Sequence, residues 1–124
     1  AAVSGDRNPV HLDAAYAATT QFKERIAHGM LSGALISAAI ATVLPGPGTI
    51  YLGQTLRFTR PVKLGDDLKV ELEVLEKLPK NRVRIATRVF NQAGKQVVDG
   101  EAEIMAPEEK LSVELAELPP ISIG

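Results

Sequence analysis

The feature that most constrains the fold is an apolar run, MLSGALISAAIATVL, at positions 30–44. Its side chains are apolar nearly all round a helix, a pattern that indicates burial on several sides. The run is shorter than the ~20 residues that span a bilayer, and Ser32, Ser37 and Thr42 interrupt it. We therefore predict a buried helix from about Gly29 to Leu44, ended by PGPG at 45–48, and no membrane association.

The chain after this helix is predicted to form four β-strands. Apolar and polar residues alternate with period two, which is typical of half-buried strands. The alternating segments are 49–62, 67–78, 81–92 and 97–106, with LGDD at 64–67 and NQAGKQ at 91–96 as turns. Short turns favour an antiparallel sheet, so we predict an α+β domain whose sheet wraps around the helix. Dimerisation is a common way to cover the edge of such a sheet.

Composition excludes several classes of function. A chain of 124 residues with 45% hydrophobic and 23% charged residues is sufficient for one packed domain. A net charge of −1 argues against binding to nucleic acid. The chain has no cysteine and only two histidines, so we predict no disulfide and no metal site. The tail 107–124 loses the alternation and is interpreted as a C-terminal arm or a linker.

The segment SGDRNPVHLD, at 4–13, places an acid and a base close together. Asp6 and His11 flank an Asn8-Pro9 pair, which disfavours helix, so we predict an irregular turn that holds both side chains on a rigid corner. Asp13 is a suitable N-cap for a short helix that follows. On the residues alone, these are also ordinary turn formers, and a single histidine is more often structural than catalytic.

The same segment resembles the signature of the R-specific enoyl-CoA hydratases, the MaoC-like or hydratase 2 group of hot-dog proteins. The matching residues are Gly5, Asp6, Asn8, Pro9, Val10, His11 and Asp13. IAHGML and GTIYLGQTLRFTRPVKLGDDL follow in the order that the family has them. The resemblance covers residues 1–106 and implies a hot-dog fold, with a sheet around one long helix. It also implies that two such domains pair to form a continuous sheet, with active sites near the dimer interface. Family chains usually begin with a strand and a helix before the signature, and this sequence does not contain them.

The resemblance assigns the chemistry to three residues. Asp6 and His11 would hold and deprotonate a water, and the backbone N–H of Gly29 would stabilise the thioester carbonyl. Asn8 would brace the turn and border the substrate. His28 is interpreted as structural, a residue that caps the helix or orients the turn. Some relatives carry a serine near the position of Ala34, and we do not expect Ser32 or Ser37 to replace it.

The substrate implied is an acyl-CoA, and no separate cofactor is expected. Candidates for lining an acyl channel are Met30, Leu31, Leu35, Leu52 and Phe58, all of which could equally be core residues. Three basic residues could meet the phosphates of coenzyme A or simply lie on a solvated strand edge: Arg57, Arg60 and Lys63.

Two other functions stay open: a hot-dog thioesterase and a non-catalytic acyl-CoA-binding domain. The acid–base pair favours a hydratase over both. We further expect a homodimer, a cytoplasmic location and, from likeness to some bacterial bifunctional enzymes, a fused C-terminal acyltransferase domain.

Overall fold

The computed structural model of the chain describes residues 1–108, so positions 109–124 of the predicted arm lie outside the described residues. Three helices and four strands follow one another: α1 (Pro9–Leu12), α2 (Ala14–Ala18), α3 (Gly29–Thr42), β1 (Ile50–Phe58), β2 (Lys69–Lys77), β3 (Arg82–Phe90) and β4 (Gln96–Met105). The long helix is confirmed, although it ends two residues before the predicted Leu44. In this part of the chain, no helix combines the length and the hydropathy needed to cross a bilayer.

The four strands form one antiparallel sheet, as predicted, in the order β1-β4-β3-β2. The strands β1 and β2 are consecutive in sequence but lie at opposite edges of the sheet. The LGDD turn is therefore part of a connection that crosses the sheet from edge to edge, rather than a hairpin. Strand alternation alone does not fix which strands are neighbours.

The core lies between α3 and one face of the sheet. Ile36 and Ile40 of the helix are fully buried in a cluster with strand residues, namely Ile85, Val89, Val97, Val98, Ala102 and Ile104. Burial of each such aliphatic side chain contributes roughly 1.5–3 kcal/mol to stability. The core therefore fixes α3 to the sheet along one side of the helix.

The prediction that α3 is buried on several sides is wrong for the single chain. Its buried residues are Ser32, Ile36 and Ile40, which recur every four positions and so share one face. Met30, Leu31 and Leu35 are 66%, 52% and 37% exposed. The sheet covers only one side of the helix, and the opposite apolar side is uncovered.

The alternation predicted for residues 81–92 is confirmed in β3. Ile85, Thr87 and Val89 are buried, while the arginines that alternate with them face outwards and pair with glutamates. The pattern fails near the end of β2, where Val74 is 42% exposed. A register shift between Val74 and Glu76 interrupts the alternation at that point.

Two glycines allow α3 to approach β1 closely. A Cβ placed on Gly29 would lie 3.1–3.3 Å from three ring atoms of Phe58, and one on Gly33 would lie 3.2 Å from the Leu56 side chain. These distances are tighter than ordinary van der Waals contact. The absence of side chains at both positions therefore sets the beginning of α3 directly against the strand.

A third glycine leads to a prediction about stability. A Cβ on Gly100 in β4 would lie 2.0 Å from the carbonyl oxygen of Thr55 in β1, where the two strands pair. Gly100→Ala must push the strands apart, and we expect it to lower the free energy of unfolding by about 1–3 kcal/mol or more. Thermal denaturation followed by circular dichroism measures the change.

Gly53→Ala is the matched control for this prediction. Gly53 also lies in β1, but nothing is within 4 Å of a Cβ built there. We expect its midpoint of unfolding to stay near that of the wild type. Equal midpoints for the two variants would contradict the steric argument.

Candidate active site

The turn before α1 fixes one carboxylate oxygen of Asp6 and leaves the other available. The backbone N–H of Asn8 donates to Asp6 Oδ1 at 3.1 Å, and the backbone N–H of Asp6 donates to Ser4 Oγ at 3.2 Å. The second oxygen, Oδ2, faces His11 and His28. The Asp6 side chain is 51% exposed, so this oxygen is accessible from solvent.

The Asn-Pro pair begins a helix instead of preventing one. Asn8 is the N-cap of α1, and its side-chain oxygen accepts from the backbone N–H of Val10 at 3.1 Å. Pro9 occupies the first helical position, where its fixed φ and missing N–H are favourable. The prediction of an irregular turn therefore holds at Asp6 but is wrong at His11, which lies within α1.

His11 has an orientation that its hydrogen bond determines. Its Nδ1 lies 2.8 Å from the carbonyl oxygen of Ile26. A carbonyl only accepts, so Nδ1 carries the proton, and the Nε2 of the neutral ring has a free lone pair. This Nε2 lies 3.7 Å from Asp6 Oδ2, and the His11 side chain is 12% exposed. The site thus places a proton acceptor opposite a carboxylate oxygen.

His28 completes the cluster. Its ring stacks on that of His11, with centroids 3.9 Å apart and an interplanar angle of 26°. Its Nε2 lies 2.8 Å from the backbone carbonyl oxygen of Asp6 and 3.9 Å from Asp6 Oδ2. The expected orienting contact with the turn is therefore present. The side chain of His28 makes no capping hydrogen bond at α3, although His28 is the N-cap residue.

These three side chains also offer ligand atoms for a metal ion. One atom from each of Asp6, His11 and His28 lies within 4.8 Å of the others. However, His28 Nε2 must carry a proton to donate to the Asp6 carbonyl, and a metal would have to displace that proton and break the bond. The observed hydrogen bonds therefore favour proton transfer over metal binding.

A pocket of about 330 Å³ opens beside His11 and Gly29. Gly29 is the first residue of α3, so its backbone N–H has no acceptor within the helix and lies at the positive end of the helix dipole. Most of the other lining side chains are apolar: Phe22, Ile26, Ala27, Phe58, Pro61, Val62, Val97 and Val98. The polar lining residues are Ser32, Thr59 and Arg60. The pocket can receive an apolar chain with a polar group at its mouth.

The structure brings only some of the predicted residues to this pocket. Phe58 and Arg60 line it, as does Ser32, which is 2% exposed, whereas Ser37 is exposed. The pocket lining does not include Met30, Leu31, Leu35 or Leu52, and Met30, Leu31 and Leu52 are largely exposed in the single chain. A role for these four in substrate binding stays a prediction, as does one for Asn8.

Sequence analysis missed the lining residues that come from irregular segments. Phe22 and Ile26 lie between α2 and α3, and Val62 lies in the crossing connection. An apolar residue in a loop was the one available signal, because no periodicity extends through these segments. Arg57, by contrast, borders a separate, mostly polar depression on the sheet, and Lys63 pairs with Glu24 at 3.7 Å.

Comparison with solved structures identifies proteins of similar fold and sequence. The R-hydratase PhaJ1 from Pseudomonas aeruginosa superposes with a TM-score of 0.91 and is 99% identical, over 99% of this chain and 79% of that one. The (R)-hydratase from Aeromonas caviae gives a TM-score of 0.82 at 47% identity, over 86% and 81% of the two chains. The hot-dog fold that the resemblance implied is confirmed.

Comparison with characterised sequences identifies relatives of the same kind as the comparison with solved structures. An (R)-specific enoyl-CoA hydratase from Rhodospirillum rubrum is 46% identical over 86% of this chain and 74% of its own length. The profile described as the MaoC-like domain matches residues 1–101, which include the Asp6–His11 turn, α3 and the first half of β4. The chain therefore belongs to the MaoC-like domain family.

Proposed function

We propose that this chain catalyses the reversible, R-specific hydration of trans-2-enoyl-CoA to (R)-3-hydroxyacyl-CoA. The similarity to R-hydratases from three bacteria supports the reaction class and its stereochemistry. The observation that carries the mechanism is the placement of His11 Nε2 3.7 Å from Asp6 Oδ2, beside a pocket that Gly29 also lines.

Asp6 and His11 act together on one water molecule. Two acceptor atoms 3.7 Å apart can both lie within ~2.8 Å of one water oxygen, the usual hydrogen-bond distance. The pair takes one proton from this water as its oxygen bonds to C3 of the enoyl group, and one proton is delivered to C2. The net change is the addition of one water. Because the fold already holds both groups at this distance, little entropy is lost in bringing them together for the reaction.

Gly29 stabilises the negative charge that develops on the thioester oxygen. Its backbone N–H is free of the helix ladder, and the glycine lets a thioester approach the backbone closely. A donor of this kind is stronger in a pocket that excludes water, and removing one typically costs ~10²–10³ in rate. The acyl chain then extends along the apolar wall that Phe58 and Val98 help to form.

Removing either member of the pair should abolish most of the activity. We expect Asp6→Asn and His11→Ala each to lower kcat/KM for crotonyl-CoA by about 10²–10⁴-fold, the usual contribution of general acid–base catalysis. Loss of the enoyl thioester absorbance measures the rate, and chiral separation of the 3-hydroxyacyl product checks its R configuration.

Asp99→Asn is the matched control, because Asp99 is an exposed carboxylate on β4, outside the pocket lining. It should react at the wild-type rate. Full activity of either Asp6→Asn or His11→Ala would contradict the assignment. Release of free thiol by the wild type, without formation of a hydroxyacyl product, would indicate a thioesterase instead.

The role of Gly29 can be tested by adding one methyl group. Gly29→Ala places a Cβ 3.1–3.3 Å from the Phe58 ring, so the helix start or the ring must move. We expect kcat to fall by up to about 10²–10³-fold as the N–H leaves its position. Steady-state kinetics with crotonyl-CoA provides the measurement.

Gly33→Ala adds the same methyl group one turn later in α3, against the flexible end of Leu56 at 3.2 Å. This control should keep kcat within about threefold of the wild type, since Leu56 can shift. Equal losses in the two variants would indicate a general disturbance of α3 and contradict a specific role for the Gly29 N–H.

We also propose that two copies of the chain form a dimer through the uncovered side of α3. Met30, Leu31 and Leu35 are apolar residues of α3 that one chain leaves exposed. Covering such surface with a second copy removes it from water at roughly 25 cal/mol per Å². The cytoplasmic location and the fused acyltransferase domain remain predictions.

A charged side chain on this surface should destabilise the dimer. We expect the wild type to have twice the mass of one chain in light scattering after size exclusion, and Leu31→Glu to shift the population towards the monomer. Leu64→Glu is the control, because Leu64 is similarly exposed, at 54% against 52%, but lies in the crossing connection. A monomeric wild type would contradict the proposal.

A further inference from the structure

We infer that His28 is a positioning residue, which holds the carboxylate of Asp6 at its working distance from His11. This inference rests on the proposed hydration reaction and assigns a role to a residue that the mechanism above does not use. His28 transfers no proton to or from the substrate. It acts on the reaction through Asp6.

The first argument is the way in which Asp6 is attached to the fold. The bonds of Asp6 with Ser4 and Asn8 are local, each spanning two residues. The bond from His28 Nε2 to the Asp6 carbonyl spans 22 residues and reaches the N-cap of α3. Because α3 is fixed to the sheet by the buried Ile36 and Ile40, this bond connects the exposed turn to the rigid part of the domain.

The second argument is the protonation that the contact requires. The Asp6 carbonyl accepts, so His28 must carry its proton on Nε2. With its one proton committed to a backbone oxygen, the Nε2 of neutral His28 has no lone pair to receive a proton from water. His11 is the reverse case, because its proton lies on Nδ1 and its Nε2 is free. The two rings therefore have different roles despite being stacked.

The third argument is the position of His28 in the chain. His28 directly precedes Gly29, whose N–H is the proposed donor to the thioester oxygen. The stack on His11, with centroids 3.9 Å apart, and the bond to Asp6 thus link all three catalytic groups through one side chain. A displacement of ~1 Å between reacting groups can cost about 10²-fold in rate, so such a link has a measurable effect.

Three substitutions separate the donor from the ring. His28→Ala removes both, His28→Phe keeps a ring but no donor, and His28→Gln keeps an N–H at a similar reach but cannot act as an acid or base at neutral pH. We expect kcat to fall by about 10–10²-fold in His28→Ala and His28→Phe, with KM little changed, and to recover most of this loss in His28→Gln.

Outcomes that contradict the inference are distinct. If His28→Gln is as slow as His28→Ala, a donor to the Asp6 carbonyl is not what His28 contributes to the rate. If all variants keep the wild-type kcat, the bond to Asp6 does not matter. If His28→Ala slows Asp6→Asn further by its full factor, His28 does not act through Asp6. Thr42→Val, which removes a side-chain bond at the far end of α3, is the control and should keep the wild-type kcat.

A second measurement does not depend on activity. The chain has two histidines, so the ring ¹⁵N signals of the wild type and of His28→Gln assign each ring. We expect the proton of His11 on Nδ1 and that of His28 on Nε2. A wild type with these tautomers but no hydratase activity would overturn the proposed function and leave the contact intact. His28 protonated on Nδ1 would overturn this inference, whatever the activity.

Discussion

Two hydrogen bonds from imidazole rings to backbone carbonyls determine what this site can do. The Ile26 carbonyl takes the Nδ1 proton of His11, and the Asp6 carbonyl takes the Nε2 proton of His28. Each bond selects one tautomer of a ring whose two tautomers are otherwise close in energy. As a result, His11 presents the lone pair of Nε2 to the Asp6 carboxylate, and His28 presents its N–H to the Asp6 backbone carbonyl.

The acceptor of His11 is itself held by the fold. The backbone N–H of Ile26 donates to the Val10 carbonyl at 3.2 Å, and that of Ala27 donates to the Val62 carbonyl at 2.7 Å. The segment before α3 is therefore bonded both to α1 and to the connection that crosses the sheet. This explains how a residue in a one-turn helix, which would not be stable alone, can keep a fixed orientation. The edge-to-edge crossing thus contributes to the geometry of the site.

Much of the fold follows from the sequence, and less of the site does. Period-two alternation located four strands, and the apolar run located α3, because both patterns report burial within one element. The acid–base pair was found from the spacing of Asp6 and His11 together with the family resemblance. The hydrogen bond from His28 to Asp6 and the contribution of Phe22 to the pocket depend on long-range contacts between irregular segments, and no local pattern encodes them.

The apolar pattern of α3 is the sum of two different surfaces, and this explains why burial on several sides was the wrong expectation for one chain. Ile36 and Ile40 face the core, and Gly29 and Gly33, on the same side of the helix, lie close against side chains of β1. Leu31 and Leu35 are on the side that the sheet does not cover. A sequence records that a residue is apolar but not which neighbour covers it.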